Sequence, residues 1–177
     1  MGVAAVEFKH VNKGNAALQR RLAALRKKCA LVGIPSDAER PVDDENQPLG
    51  ITMADLALIH EKGSDTMRIP ARPFMAETRK KYGDATIKFM GSLYRQVVKS
   101  MDPARALKRL GQFYEGRMRK IFTEAQFKPN SPITINGGWM RNPKSGKPFK
   151  VKGKQSTRPL VDTGRLRGSI ISKVAPL

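Results

Sequence analysis

The sequence predicts an α+β fold, a small antiparallel β-sheet packed against long amphipathic helices, with an extended basic arm. Three observations predict it. Phe74 to Met101 and Asp102 to Ala125 both carry apolar residues at helical spacing. Short apolar runs near the two ends, Ala30 to Pro35 and Ile170 to Val174, read as strands. Between them, Lys128 to Thr157 combines four prolines with repeated glycine and lysine and contains no acid, which no core element tolerates. The 177 residues suit a single domain spanning 1–177.

Taken in order, Val3 to Val11 alternates loosely and stops at Asn12-Lys13-Gly14, a strand and its turn. Asn15 is placed to cap a helix from Ala16 to about Lys28, with Ala17, Leu18, Leu22, Leu25 and Cys29 on one face and arginines and lysines on the other. Ala30 to Pro35 reads as a buried strand. The loop at about 36–50 follows, carrying Asp37, Glu39, Asp43, Asp44 and Glu45. Thr52 then caps a helix over Met53 to Lys62 that Gly63 ends. Ile69 to Phe74 is extended, because each proline biases its predecessor away from helix.

From Phe74 to Met101 the positions Ile87, Met90, Leu93, Tyr94, Val97, Val98 and Met101 keep helical spacing. Asp102-Pro103 opens the next helix, whose stripe is Leu107, Leu110, Tyr114, Met118, Ile121 and Ala125. The two helices are expected to pack antiparallel. The stretch at about 128–157 reads as a basic hairpin arm or as a loop that orders on binding. Asp162 is placed to cap a short helical turn ahead of the closing strand.

Thirty-four Lys and Arg against 15 Asp and Glu give a formal charge of +19. So large an excess repels itself and attracts polyanions, so an acidic protein surface or a nucleic acid is the expected neighbour. The cations are spread along the chain, and one Trp and three Tyr leave few rings to stack on bases, which argues against base-specific reading. One cysteine, Cys29, excludes an intrachain disulfide and a cysteine-rich zinc site, and fits assembly in a cytosol. No apolar run reaches the roughly 20 residues of a membrane span and the N-terminus lacks a leader pattern, so neither membrane nor export is expected.

Chemistry-bearing patterns are sparse. His60-Glu61 invites comparison with the zinc helix His-Glu-x-x-His, but Ser64 stands where the second imidazole belongs. Adjacent Asp43 and Asp44 in a loop lack the oxygen cage that calcium needs. Thr163-Gly164-Arg165 offers amides and arginines to an anion without the glycine-rich lead and lysine of a nucleotide loop. Its structural reading is a cap that aims a terminal strand. No nucleophile stands beside a base, so no enzyme and no cofactor is expected.

Three segments occur in order: Leu56 to Met75 (LALIHEKGSDTMRIPARPFM), Lys128 to Ile135 (KPNSPITI) and Pro159 to Ile170 (PLVDTGRLRGSI). In that order and combination they resemble the tail-completion and virion-morphogenesis proteins of tailed bacteriophages, the HK97 gp10-like neck proteins. Ala30 to Pro35 is similar to that family's early V-G-I-P strand, and the likeness extends from about Ala30 to Val174. The acidic loop at 37–45 and the lysine-rich arm at 141–154 depart from the shorter members.

The resemblance implies a virion structural protein assembled in the host cytoplasm. It would form a homo-oligomeric ring, a hexamer by analogy, at the head-proximal end of the tail. Its partners would be a tail terminator or tail tube protein on one face and head-closure or adaptor proteins on the other, with DNA passing through the lumen. Ile69, Pro70, Arg72, Pro73 and Phe74 would lock the approach to the long helix, and Asp162, Thr163, Gly164 and Leu166 would set the final strand. Interface candidates are Arg141, Lys144, Lys147, Lys150, Lys152 and Lys154 on the arm, Asp43 and Asp44 on the acidic loop, and Arg165 and Arg167. The arm would dock on an acidic neighbour, touch nucleic-acid phosphates, or stay solvated. Two other readings compete: a basic protein gripping nucleic acid without reading bases, and a metallohydrolase built on His60, Glu61 and the acidic loop.

Overall fold

Local capping decides where the helices begin. Thr52 Oγ1 accepts from the Asp55 amide at 3.1 Å while the Asp55 carboxylate takes the Thr52 amide at 2.9 Å, a reciprocal box that opens a helix over Met53–Lys62. Asp102 accepts from the Arg105 amide at 2.9 Å, and Pro103 supplies a preset φ for the first turn of the helix Pro103–Glu124. These are elements of a computed structural model that describes residues 13–38, 40–41, 50–65, 69–142, 145–157, 159–160 and 164–177.

In chain order these residues form α1 (Lys13–Arg26), β1 (Lys28–Gly33), α2 (Met53–Lys62), α3 (Phe74–Lys99), α4 (Pro103–Glu124), α5 (Pro132–Asn136), β2 (Gly138–Arg141), β3 (Pro148–Val151), α6 (Arg165–Gly168) and β4 (Ile171–Pro176). The α+β class is as expected, with the strands in two separate two-stranded antiparallel sheets. β1 pairs with β4 from Lys28↔Pro176 to Gly33↔Ile171, and β2 pairs with β3 from Gly138↔Val151 to Arg141↔Pro148.

α3 and α4 form the antiparallel pair at the centre. Phe89 stacks on Phe113 near the middle with ring centroids 4.5 Å apart, and Phe74 at the start of α3 meets Phe122 near the end of α4 at 4.9 Å. The Tyr82 hydroxyl donates to Glu124, which also pairs with Lys81 at 2.9 Å and Lys120 at 2.7 Å. One core cluster gathers Met53 and Ala57 of α2, Phe74, Met118, Ile121 and Phe122, and closes on Leu166 and Ile170. A second holds Leu93, Val97 and Ala106, with Leu25 of α1 against it. Arg21 of α1 donates to the Val98 and Lys99 carbonyls at 3.1 and 3.3 Å, placing a cation on the negative end of α3.

The β1–β4 sheet lies on α4. Ser172 donates to Glu115 at 2.7 Å, Glu115 pairs with Arg119 at 3.0 Å, and Arg119 donates to the Ile170 carbonyl at 2.6 Å. A polar row on α4 thus fixes the register of the last strand.

Several expectations change. Asn15 lies inside α1 and does not cap it, because the helix starts at Lys13 and ends at Arg26. Cys29 therefore belongs to β1 and leaves the helical stripe. β1 is half-buried where a buried strand was expected: only one face of a two-stranded sheet meets α4, so Leu31 and Ile171 stay exposed on the other. α3 runs 26 residues, about 39 Å, with Gly83 and Gly91 inside it. The strand expected at Val3–Val11 lies outside the described residues. No helix among the described residues is long and apolar enough to cross a membrane.

Candidate interaction site: a clamped basic arm

The arm begins at a junction built by the Ile69–Phe74 segment. Gly63 ends α2 with φ +79°, and a Cβ there would stand 2.8 Å from the Ala71 nitrogen, so the position needs glycine. Ser64 and Ile69 exchange backbone hydrogen bonds, each 2.8 Å, and the Arg72 amide donates to the His60 carbonyl at 2.7 Å. Glu61 supplies what Pro73 cannot at the start of α3. Its two carboxylate oxygens accept from the Met75 and Ala76 amides at 2.9 and 3.0 Å, an anion on the positive end of a long helix.

Arg72 is only 6% exposed, and its described hydrogen bonds go to the root of the arm. Nε donates to the Lys128 carbonyl at 3.0 Å, and Nη2 donates to the Pro129 carbonyl at 3.2 Å and to Asn130 Oδ1 at 3.1 Å. Burial lowers the pKa of this guanidinium. Asn130 in turn donates to the Ser156 carbonyl at 3.2 Å, tying the outgoing strand of the arm to the returning one. Beside it, His60 Nδ1 is buried without a hydrogen-bond partner among the described residues. Burial, then the charges of Arg72 and Lys154, hold this imidazole down at about 4.

Above the clamp the chain crosses itself. Lys154 and Gln155 amides donate to the Thr134 and Ile135 carbonyls at 2.9 and 3.0 Å. A Cβ on Gly153 would lie 2.5 Å from the Asn136 carbonyl carbon, and one on Gly137 2.7 Å from the Gly153 nitrogen, so two glycines let the backbones touch. From this neck β2 and β3 project as a ribbon. The tip closes through the Asn142 amide to the Lys147 carbonyl at 2.9 Å.

The register sorts the ribbon's side chains. Trp139, Arg141 and Lys150 share one face, and Met140, Phe149 and Val151 share the other. Trp139 is 69% exposed and Phe149 44%. Trp139 is also the chain's one tryptophan.

The sequence-derived candidates distribute unevenly. Ile69, Pro70, Arg72, Pro73 and Phe74 meet in the junction, with Phe74 fully buried in the core. Arg141, Lys147, Lys150, Lys152 and Lys154 come together on the arm. Gly164 has φ +74° ahead of α6, and Leu166 is buried. Arg165 and Arg167 sit on α6, which packs on α4, and not on the arm. Asp43, Asp44, Lys144, Asp162 and Thr163 lie outside the described residues. The Arg72 clamp, the Glu61 cap and the exposed Trp139 were not singled out from sequence. The alternation Trp-Met-Arg and Pro-Phe-Lys around a Pro-Lys-Ser-Gly turn was the available signal for the ribbon.

A second exposed surface lies on α3. Leu93 and Val97 are buried against α4, whereas Ile87, Met90, Tyr94 and Val98 are 62%, 49%, 51% and 37% exposed. The exposed row winds along the helix beside the buried one, about 100° around the axis from it. The apolar arc of α3 is wider than α4 and α1 cover.

No family model, curated protein or solved structure matches this chain.

Proposed function

We propose that this protein is a structural subunit of a tailed-phage virion, a tail-completion ring subunit in the neck that joins the tail to the head connector. The observation that carries the assembly reading is the exposed row Ile87, Met90, Tyr94 and Val98 on α3. A contiguous apolar row on a soluble subunit marks a protein–protein contact. A ring closes through heterologous contacts, in which this row meets a different patch of the next copy. The exposed outer face of the β1–β4 sheet, with Leu31 and Ile171, is one such patch. Tail terminator or tube protein would bind one face of the ring and head-closure or adaptor proteins the other. The polar work around Arg72 and Glu61 then serves rigidity: it holds the arm at a fixed angle to the long helix.

Electron cryo-microscopy of the virion neck tests the reading, with a ring between connector and tail traceable as this sequence as the expected result. A neck fully accounted for by other chains refutes it. On purified protein, native mass spectrometry should show a closed oligomer that Met90→Lys with Tyr94→Lys reduces to monomers of unchanged helicity.

A further inference from the structure

We propose that the β2–β3 ribbon is a duplex-DNA contact, lying in a groove with its Trp139, Arg141 and Lys150 face toward the nucleic acid. The inference names the arm's partner and rests on the neck reading only for where DNA would be met.

Charge comes first. Residues 128–157 contain seven Lys and Arg and no Asp or Glu, so no carboxylate within the arm neutralises it. Arg141 and Lys147 flank the tip, Lys150 lies mid-ribbon, and Lys152 and Lys154 lead back to the root, so the cations follow the ribbon's length. Cations strung along an element match a phosphate backbone.

Shape comes second. Each strand has four residues, about 13 Å at ~3.3 Å per residue, and a two-stranded ribbon is of the width that the roughly 12 Å major groove admits. Among the described residues β2 and β3 pack mainly on each other, with Ile133 of α5 against Gly138 at the root. An isolated two-stranded ribbon is marginal in water, so exposure on both faces is explained by a partner that covers it. Rigidity comes third. The Arg72 and Asn130 hydrogen bonds and the Gly137–Gly153 crossing fix the root, so docking forfeits little freedom of the base.

An acidic protein surface would satisfy the charge, but the cations are strung out where such a surface offers scattered carboxylates. Trp139, exposed on the cationic face, supplies an apolar surface for the thymine methyl groups that line a major groove.

The test uses the full-length protein, a random-sequence 24-base-pair duplex, its single strand and polyglutamate, read by the fluorescence of the one tryptophan and by anisotropy of labelled duplex. Five phosphate contacts give a salt slope near −4.5, so affinity should fall about 500-fold between 50 and 200 mM salt. Lys147→Ala with Lys150→Ala and Lys152→Ala should cut that fall to roughly 12-fold, while alanine at Arg20 and Arg26 of α1 and at Lys27 just after it leaves it near the wild-type value. Duplex should change Trp139 emission at lower concentration than single strand or polyglutamate. Equal loss in the two triple variants, tighter binding of single strand, or a polyglutamate response matching the duplex each overturn the proposal. Native mass spectrometry of the same samples separates the readings. A monomer that binds duplex through the arm sinks only the ring, and a ring whose arm ignores duplex sinks only this inference.

Discussion

Replacing Arg72 with alanine removes the donor that ties the arm to the α2–α3 junction. Three hydrogen bonds of 3.0–3.2 Å disappear, to the Lys128 and Pro129 carbonyls and Asn130 Oδ1. A bond from a charged donor contributes roughly 1.5–3 kcal/mol, but Lys128 and Pro129 are exposed and water can replace the lost partner there. Taking about 1 kcal/mol for each bond gives a loss near 3 kcal/mol. The guanidinium's own burial is unfavourable, as its lowered pKa indicates, so Arg72→Met should lose less, about 2 kcal/mol. With a urea slope of roughly 2 kcal/mol/M, the alanine midpoint falls by about 1.5 M. Circular dichroism follows the helices and Trp139 emission follows the arm, so the two probes should separate, the arm loosening first. Hydrogen exchange should locate the loss at 130–137 and 153–156. An alanine variant with an unshifted midpoint and unchanged protection there would show that Arg72 does not hold the arm.

Glu61→Ala should lower stability by about 1–2 kcal/mol in the same urea assay, because the Met75 and Ala76 amides lose their carboxylate. Phe74→Ala, at a fully buried position, should lose about 3–5 kcal/mol, measured by circular dichroism in the same urea titration. The His60 imidazole titrates at about 4 in the folded protein against an ordinary 6.5, so between those values the unfolded chain binds a proton that the native one refuses, and stability falls as pH falls. Between pH 7 and 5 that amounts to about 2 kcal/mol, and His60→Gln should remove this part of the pH dependence of the urea midpoint.

The sequence by itself determined the elements whose causes lie within a turn of one another. Thr52, Gly63 and Asp102-Pro103 set the helix limits that were read from them, and the lack of acids from 128 to 157 marked the arm. The same local logic failed at Asn15, where the helix begins at Lys13 and a good capping residue falls inside it. Only the tertiary structure decided the rest. β1 pairs with β4 across almost the whole chain, and Arg72 finds its acceptors 56 to 58 residues away. On α3, Leu93 and Tyr94 share one apolar arc in sequence, yet one is buried and the other exposed. Spacing tells which residues share a face of a helix. Which part of that face is covered depends on neighbours brought in from elsewhere in the chain, and the part left bare is the part available to a partner.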